Sequence, residues 1–343
     1  MPVRNMEQYL EESIKAILAQ TFRNFELIVL DFGSTDRSKA IAASYEALDR
    51  RVKLHQGVSC GLAEARNAGC SLAKGRYIAV QDADDVSLPD RLMLQVYFME
   101  SHPDIGLLGG LPEWVDSAGR SMWVARFPTD DQEIQSALPT YFPFCHTSLL
   151  IRRNAFELVG GYRPIMTQSH DYDLALRISE HFRCANLSEV VVKYRVHSEQ
   201  LSVAKRRRQC LCALSAQASA AARRAGKPDP LENVQEITTS VLQRLGITEA
   251  QLQFALAAGY QNWINSMLSA GDNAAALKLA KEARRQKYLD RSGVAELYFT
   301  AARRFWKEKR FTSGLLAAFH VLLTCPQMAR RFVKPLRRRL GLA

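Results

Sequence analysis

Tyr77-Ile78-Ala79-Val80-Gln81-Asp82-Ala83-Asp84-Asp85, followed by Leu88-Pro89-Asp90-Arg91-Leu92, is the stretch on which the reading of this chain turns. Four apolar residues after the break at Lys74-Gly75 predict a short buried strand, and Leu88-Pro89-Asp90 starts a helix carrying Leu92, Leu94, Val96, Tyr97 and Met99. Three carboxylates therefore stand at the carboxyl end of a strand, where open α/β sheets bind ligands. Along an extended chain Asp82 and Asp84 point the same way, while Asp85 points oppositely or begins the turn. In a partly dry cleft such charges repel by several kcal/mol, and Mg²⁺ or Mn²⁺ relieves this while leaving coordination sites for phosphate. A solvated acidic turn capping the next helix is the plainer account of the same residues.

Outward from this run, amphipathic helices alternate with short apolar strands, the pattern of a mostly parallel sheet covered on both faces. Asn5 caps a helix with apolar positions Tyr9, Leu10, Ile14, Ile17 and Leu18; Phe25 to Leu30 is a strand, and Gly33-Ser34-Thr35-Asp36 turns into a helix bearing Ile41, Tyr45 and Leu48. Val52 to His55, Tyr77 to Gln81, Ile105 to Leu108, Ser148 to Ile151 and Val190 to Tyr194 are further strands, with helices over Leu62–Ala73 and Tyr172–His181. Between about Glu113 and Phe144 the pattern loosens. The fold class is thus α/β, Rossmann-like and doubly wound, over residues 1–202. From about residue 203 the chain becomes rich in Ala, Leu and basic residues, and 203–343 reads as all-α, with helices near Gln251–Leu268, Asn273–Gln286, Val294–Lys307 and Phe311–Thr324. These look like helical-repeat pairs in composition only, because no repeat signature accompanies them.

The 343 residues, 24% charged and 47% hydrophobic, are ordinary globular composition, and the formal net charge of +11 favours anionic partners. Nucleic acid is not expected, since the Lys205–Arg208 run has no nucleic-acid-binding motif beside it. Seven cysteines (Cys60, Cys70, Cys145, Cys184, Cys210, Cys212, Cys325) show no CxxC pair or zinc spacing and read as reduced thiols of a cytoplasmic protein. The start, MPVRNMEQYLEES, is too acidic and polar for a signal peptide, and no stretch is apolar for long enough to span a bilayer. Pro326 to Ala343 carries six basic residues and no acid beside Met328, Phe332, Val333, Leu336 and Leu340. Such a tail suits the surface of an anionic membrane, and hence a peripheral position on the cytoplasmic face, or else is a solvated helix.

MPVRN, QTFRNFELIVLDFGSTDRS, AEARNAG, GRYIAVQDADD with LPDRL, HTSLLIRR, GGYRP, HDYDLALRI and YRVHSEQLS occur in one order over residues 1 to about 202. Together they resemble the family 2 glycosyltransferases of GT-A fold, of the bacterial kind that builds surface polysaccharides. The resemblance implies a nucleotide-sugar donor, a divalent metal (Mg²⁺ or Mn²⁺), and transfer of one sugar with inversion to a hydroxyl of a glycan or lipid-linked acceptor. It places Asp82, Asp84 and Asp85 in the family's DxD region, which grips the ribose and the metal on the diphosphate. It makes Asp171 the general base, with a helix N-cap as the plain structural alternative. His197 matches a histidine near the metal or diphosphate, giving Asp84, Asp85 and His197 as metal ligands. Arg66 and Asn67 match an element lining the nucleotide cleft, and His146 faces the acceptor side.

Three departures qualify the resemblance. Most of the family's central first strand is missing before Met1-Pro2, which is expected to leave sheet backbone and apolar side chains unpaired; a start site upstream explains this better than a viable truncation. The aromatic residue that packs on the nucleobase is Arg4, whose guanidinium can also stack. The family's Asp-Asp pair before Gly-Ser is Asp31-Phe32, so a pyrimidine donor loses a hydrogen bond of about 1–3 kcal/mol unless Asp31 or Asp36 substitutes. These departures motivate a second reading, a catalytically degenerate member whose helical half binds partners.

Overall fold

The computed structural model describes residues 1–57, 61–197, 203–307 and 311–329. Two compact units emerge, Met1–Arg195 with Leu211–Ile247, and Val196–Cys210 with Thr248–Ala343. This differs from a single cut after residue 202, because Leu211–Ile247 folds with the first unit.

In the first unit, β1 (Pro2–Val3), β2 (Leu27–Asp31) and β3 (Val52–Gln56) form a parallel sheet with Val3 opposite Asp31 and Asp31 opposite Gln56. All five β2 residues are buried, as a central parallel strand requires. Helix α1 (Leu10–Leu18) lays Leu10, Ile14 and Ile17 on Leu27 and Val29, and α2 (Ser38–Leu48) adds Ala42. Ala83, between the acidic residues, is buried in this same cluster and anchors the acidic run from below.

The second sheet contains β4 (Tyr77–Ala79), β5 (Val86–Ser87), β6 (Ile105–Val115), β7 (Ser121–Val124), β8 (Leu150–Arg152) and β9 (Arg183–Arg195). Its order is β4-β8-β6-β9-β5, with β7 on β6; β6 and β9 are parallel and the other pairs antiparallel. The α/β class holds, with parallel pairing concentrated in the first sheet and at β6/β9. Helices α3 (Leu62–Leu72), α4 (Arg91–Ser101), α5 (Asp131–Ala137), α6 (Arg153–Leu158) and α7 (His170–Ile178) complete the layers. The acidic run therefore hangs between β4, an edge strand, and β5, which pairs with β9 at the opposite edge.

Several local expectations change for identifiable reasons. Asn5 is not a cap: it takes a left-handed backbone (φ 54°), its side chain accepts from the Thr35 N–H, and α1 begins four residues past the point a cap would set. The strand at Tyr77 ends at Ala79, and Asp82 to Asp85 make a turn closed by the Asp85 N–H on the Asp82 carbonyl, so Asp82 and Asp84 do not share an extended chain. His146–Ser148 is a short 3₁₀ turn before β8. The loosened segment contains β7 and α5, the latter capped by Asp130.

A cavity of about 670 Å³ separates β2 from β4, lined by Leu27, Ile28 and Leu30 on one side and Tyr77, Ile78 and Ala79 on the other.

Helix α8 (Val203–Arg224) crosses the boundary between the units, and its later turns belong to the first one, with α9 (Thr239–Arg244). There Asp229, in the Gly226-Lys227-Pro228-Asp229-Pro230 stretch after α8, pairs with Arg163 and with Arg223, and Arg223 also pairs with Glu180. The second unit contains α10 (Glu249–Ala270), α11 (Asn273–Arg285), α12 (Arg291–Lys307) and α13 (Phe311–Thr324), close to the predicted helices. Thr248 and Gln251 form a capping box on α10, Gly271 ends it at φ 79°, and Asp272 caps α11. No described helix is long and apolar enough to cross a membrane. Cys70, Cys145, Cys184, Cys210, Cys212 and Cys325 are free thiols, while Cys60 lies outside the described residues.

Burial pushes the Asp229 carboxyl up, but the Ser219 hydroxyl, the Leu231 N–H and the Arg163 and Arg223 guanidiniums hold it at about 2 against an ordinary 3.8. Its stabilisation is therefore complete above about pH 4 and lost as pH falls through about 2. Replacing Asp229 by Asn is expected to cost about 1–3 kcal/mol at neutral pH. Urea titrations along a pH series should show the gap between native and variant closing on the acid side, and a gap independent of pH would contradict the ion-pair account.

Candidate active site

The acidic run is held by a buried polar frame. Gln81 turns inward, and its Nε2 donates to the carbonyls of Asp82 and Asp85 at 2.9 Å each. Its Oε1 accepts from the Ser87 hydroxyl and from Arg91. Arg91, 1% exposed, also donates to the Ser87 hydroxyl, the Gln95 side chain and the carbonyls of Val80 and Leu149. Burial lowers its pKa to about 10, so it remains a cation at neutral pH. On the other flank the Arg195 N–H donates to the Asp85 carboxylate at 2.8 Å, and its guanidinium reaches the Asp84 carbonyl and Glu12.

Each acid has a different environment. Asp82 accepts from Arg66 at 2.7 Å and lies 3.4 Å from His146 Nδ1. Burial pushes its carboxyl up, but Arg66 and His146 outweigh this and hold it well below the usual range. Asp85, expected as a metal ligand, is 1% exposed and turned toward Arg195; burial, with the charges of Asp84 and Asp82, pushes its carboxyl well up. Asp84 is half-buried at the turn. Among the described residues, no three His, Cys, Asp or Glu side chains form a metal-holding group. His197 is buried and belongs to the second unit, and Ser198–Ser202 of its motif lies outside the described residues.

Asp171 is the second residue of α7, not its cap: the cap position is Ser169, in a left-handed backbone at φ 51°. Its carboxylate therefore sits in the first turn, where the helix dipole favours an anion. Its charge acts on both Arg66 and Tyr162, which places it with the Asp82 group. Tyr162 approaches His146 Nε2 at 3.3 Å, and the rings of His146, Tyr162 and His170 meet edge to face. Arg66, Asp82, His146 and Asp171, which come from four separate segments, thus share one neighbourhood.

The remaining predicted residues divide. Asn67 is structural, exchanging two hydrogen bonds with the backbone of Tyr162. Asp31 caps the following turn, accepting from the Gly33 and Ser34 N–H groups at 2.9 Å each, with Gly33 at φ 106°. Phe32 is buried against Leu30, Ala65 and Leu62. Both oxygens of Asp36 are engaged, by the Ser38 and Glu7 N–H groups. Arg4 is exposed. Sequence reasoning missed the roles of Gln81, Arg91, Tyr162 and Arg195, although the GRYIAVQDADD, LPDRL, GGYRP and YRVHSEQLS motifs contain all four. A buried cation with amide and hydroxyl partners leaves no charge pairing to find in the sequence.

The model of the family described as "Glycosyl transferase family 2" matches residues 1–160. The putative glycosyltransferase EpsE of Bacillus subtilis is 38% identical over 205 residues, covering 58% of this chain and 72% of EpsE. The chain belongs to glycosyl transferase family 2. This family member is accordingly a glycosyltransferase, also 32% identical to the O-antigen biosynthesis glycosyltransferase WbnJ of Escherichia coli, over 58% of this chain and 79% of WbnJ. In fold it is similar to the Pyrobaculum calidifontis mannosyltransferase PcManGT, solved with GDP-Man and Mn²⁺ (TM-score 0.51, 19% identity, 96% of this chain and 85% of that one). It is similar as well to S. aureus TarS 1-349 solved with UDP-GlcNAc (TM-score 0.50, 16% identity, 83% and 90%). At these identities the structural likenesses bear on the GT-A fold alone.

Replacing Arg91 by Met is expected to strip partners from Gln81, Ser87, Gln95 and two buried carbonyls, at about 3 kcal/mol or more of stability. Lysine should restore little of it, having three donors on a point charge where a planar fork is needed. Denaturant midpoints of the two variants test this, and a lysine variant as stable as the native chain would refute it.

Proposed function

We propose that this chain is a metal-dependent inverting glycosyltransferase that moves one sugar from a nucleotide-sugar donor to a glycan or lipid-linked hydroxyl in surface polysaccharide synthesis. The observation that carries the reading is the convergence of Asp82, Arg66 and His146 with Asp171 beside a braced acidic turn. The names of two relatives agree with the pathway, O-antigen biosynthesis for WbnJ and amylovoran biosynthesis for the Erwinia amylovora enzyme AmsE.

Asp171 takes the proton of the acceptor hydroxyl as its oxygen bonds to the anomeric carbon. The bond from that carbon to the nucleoside diphosphate breaks on the opposite face, so configuration inverts. One base and an assisted leaving group suffice for such a single displacement. Asp82, kept ionised by Arg66 and His146, is the ribose contact, with Arg4, Asp31 and Arg66 bordering the nucleotide. Carboxylate oxygens suit Mg²⁺ or Mn²⁺, and binding through one or two carboxylates plus substrate phosphates needs no protein-only cage. Asp84 is the ligand this favours, because Asp85 is buried against the Arg195 backbone and His197 belongs to the second unit. When bound, the metal supplies Lewis-acid stabilisation of the departing diphosphate. The enzyme would work at the cytoplasmic membrane face, its basic stretch Pro326–Ala343 drawing it to anionic lipid; beyond Ala329 that stretch lies outside the described residues.

Phe32 favours a second reading. Its ring fills the core where the family has an acid, which removes a nucleobase contact and suits a member that binds partners without turnover. Thermal shifts with UDP, GDP, CDP and dTDP, each with and without Mn²⁺, separate the two. A metal-dependent shift with one nucleotide is expected, and Asp171→Asn should keep that shift while transfer falls by about 10²- to 10⁴-fold. No shift with any nucleotide would favour the second reading, and an Asp171→Asn enzyme of native activity would remove Asp171 as base.

A further inference from the structure

The outer face of α13 is strongly apolar and uncovered within the described residues. Phe311, Leu315, Leu316, Phe319, Leu322 and Leu323 are between 47% and 65% exposed. Their spacing places them on one side of the helix, while Ala317 and Val321 are buried on the other. A contiguous apolar face of this kind is unusual on a monomeric soluble protein and marks a contact surface.

The charge pattern around α13 identifies what it meets. Residues 311–329 contain no Lys, Arg, Asp or Glu. Basic groups bracket that stretch, Lys307, Lys309 and Arg310 before it and Arg330, Arg331 and Lys334 after it. From Arg291 to Ala343 the chain has 12 basic residues and 2 acidic ones. A protein partner or a second copy accounts for the apolar face but gives no reason for cations at both ends. An apolar slab between two cationic rims is the profile of a membrane interface, acyl chains beside anionic headgroups. At about 1.5 Å per residue, the 14 residues of α13 reach only about two-thirds of the hydrocarbon core, so the helix lies in the interface and does not cross it.

We propose that α13 is an interfacial docking helix that seats its Phe311–Leu323 face in the headgroup boundary of an anionic bilayer. This surface lies wholly in the second unit and does not depend on the sugar-transfer reading. It also goes beyond the basic C-terminal stretch, whose contribution is read from its charge in the sequence. Together they give the two signals that stable peripheral anchoring requires.

The test is flotation of the full chain with phosphatidylglycerol–phosphatidylcholine vesicles and with phosphatidylcholine vesicles, alongside size-exclusion light scattering without lipid. One variant carries Leu315→Gln, Phe319→Gln and Leu323→Gln, exposed helical positions at which Gln preserves helix propensity; circular dichroism verifies its fold. A second carries Arg337→Gln, Arg338→Gln and Arg339→Gln. The expected result is binding of the native chain to the anionic vesicles, weakened about tenfold or more by the α13 changes even at low salt. The arginine changes should weaken it mainly as salt rises. Native-like binding by the α13 variant would overturn the proposal in favour of the tail alone. Equal binding to phosphatidylcholine would overturn the anionic assignment. No vesicle binding, with a concentration-dependent dimer that the α13 changes abolish, would assign the face to a second copy.

Discussion

The Arg91–Gln81 contact is the constraint on which the site depends. A guanidinium 1% exposed is tolerated because amide, hydroxyl and backbone acceptors take its N–H groups. Gln81 passes that rigidity on through its Nε2, which holds the carbonyls at both ends of the Asp82–Asp85 turn. Ala83 buried below and Arg195 beside it complete the brace. The like charges of the turn are therefore kept close by neutral hydrogen bonds and flanking cations, while burial, with the charges of Asp84 and Asp82 added, raises the Asp85 carboxyl.

Within that frame, the carboxylates differ in environment. Asp82 stays ionised because Arg66 and His146 face it, Asp85 serves the junction with β9, and Asp84 remains at the turn. Asp171 arrives from a different segment, on the first turn of a helix entered through the left-handed Ser169. The family resemblance covers these acids well. It is weakest at nucleobase recognition, where Phe32 is core and Asp36 is consumed by the loop that joins it to Glu7.

The two units rely on different physics. The first is stabilised by buried strands and by ion pairs that cross the sequence, such as Arg163 with Asp229, which fasten the segment after α8 to the sheet. The second is built from local terms, such as the Thr248–Gln251 capping box, the left-handed Gly271 end and the Asp272 cap between packed helices, which is why its helix limits were legible to within a few residues.

Sequence alone determined what depends on short-range order: the α/β alternation, the helical second half, the acidic run after an apolar strand, and a family whose motifs occur in order. Those features arise from periodicity and from residues near one another in the chain. Tertiary structure decided which charges meet. Nothing local announces that Arg66 faces Asp82, that Gln81 and Arg91 turn inward, that Asp85 serves β9, or that Leu211–Ile247 joins the first unit. Each is a long-range pairing fixed by burial, where an unmatched polar group is costly, and the fold selects the partner by bringing distant segments within reach.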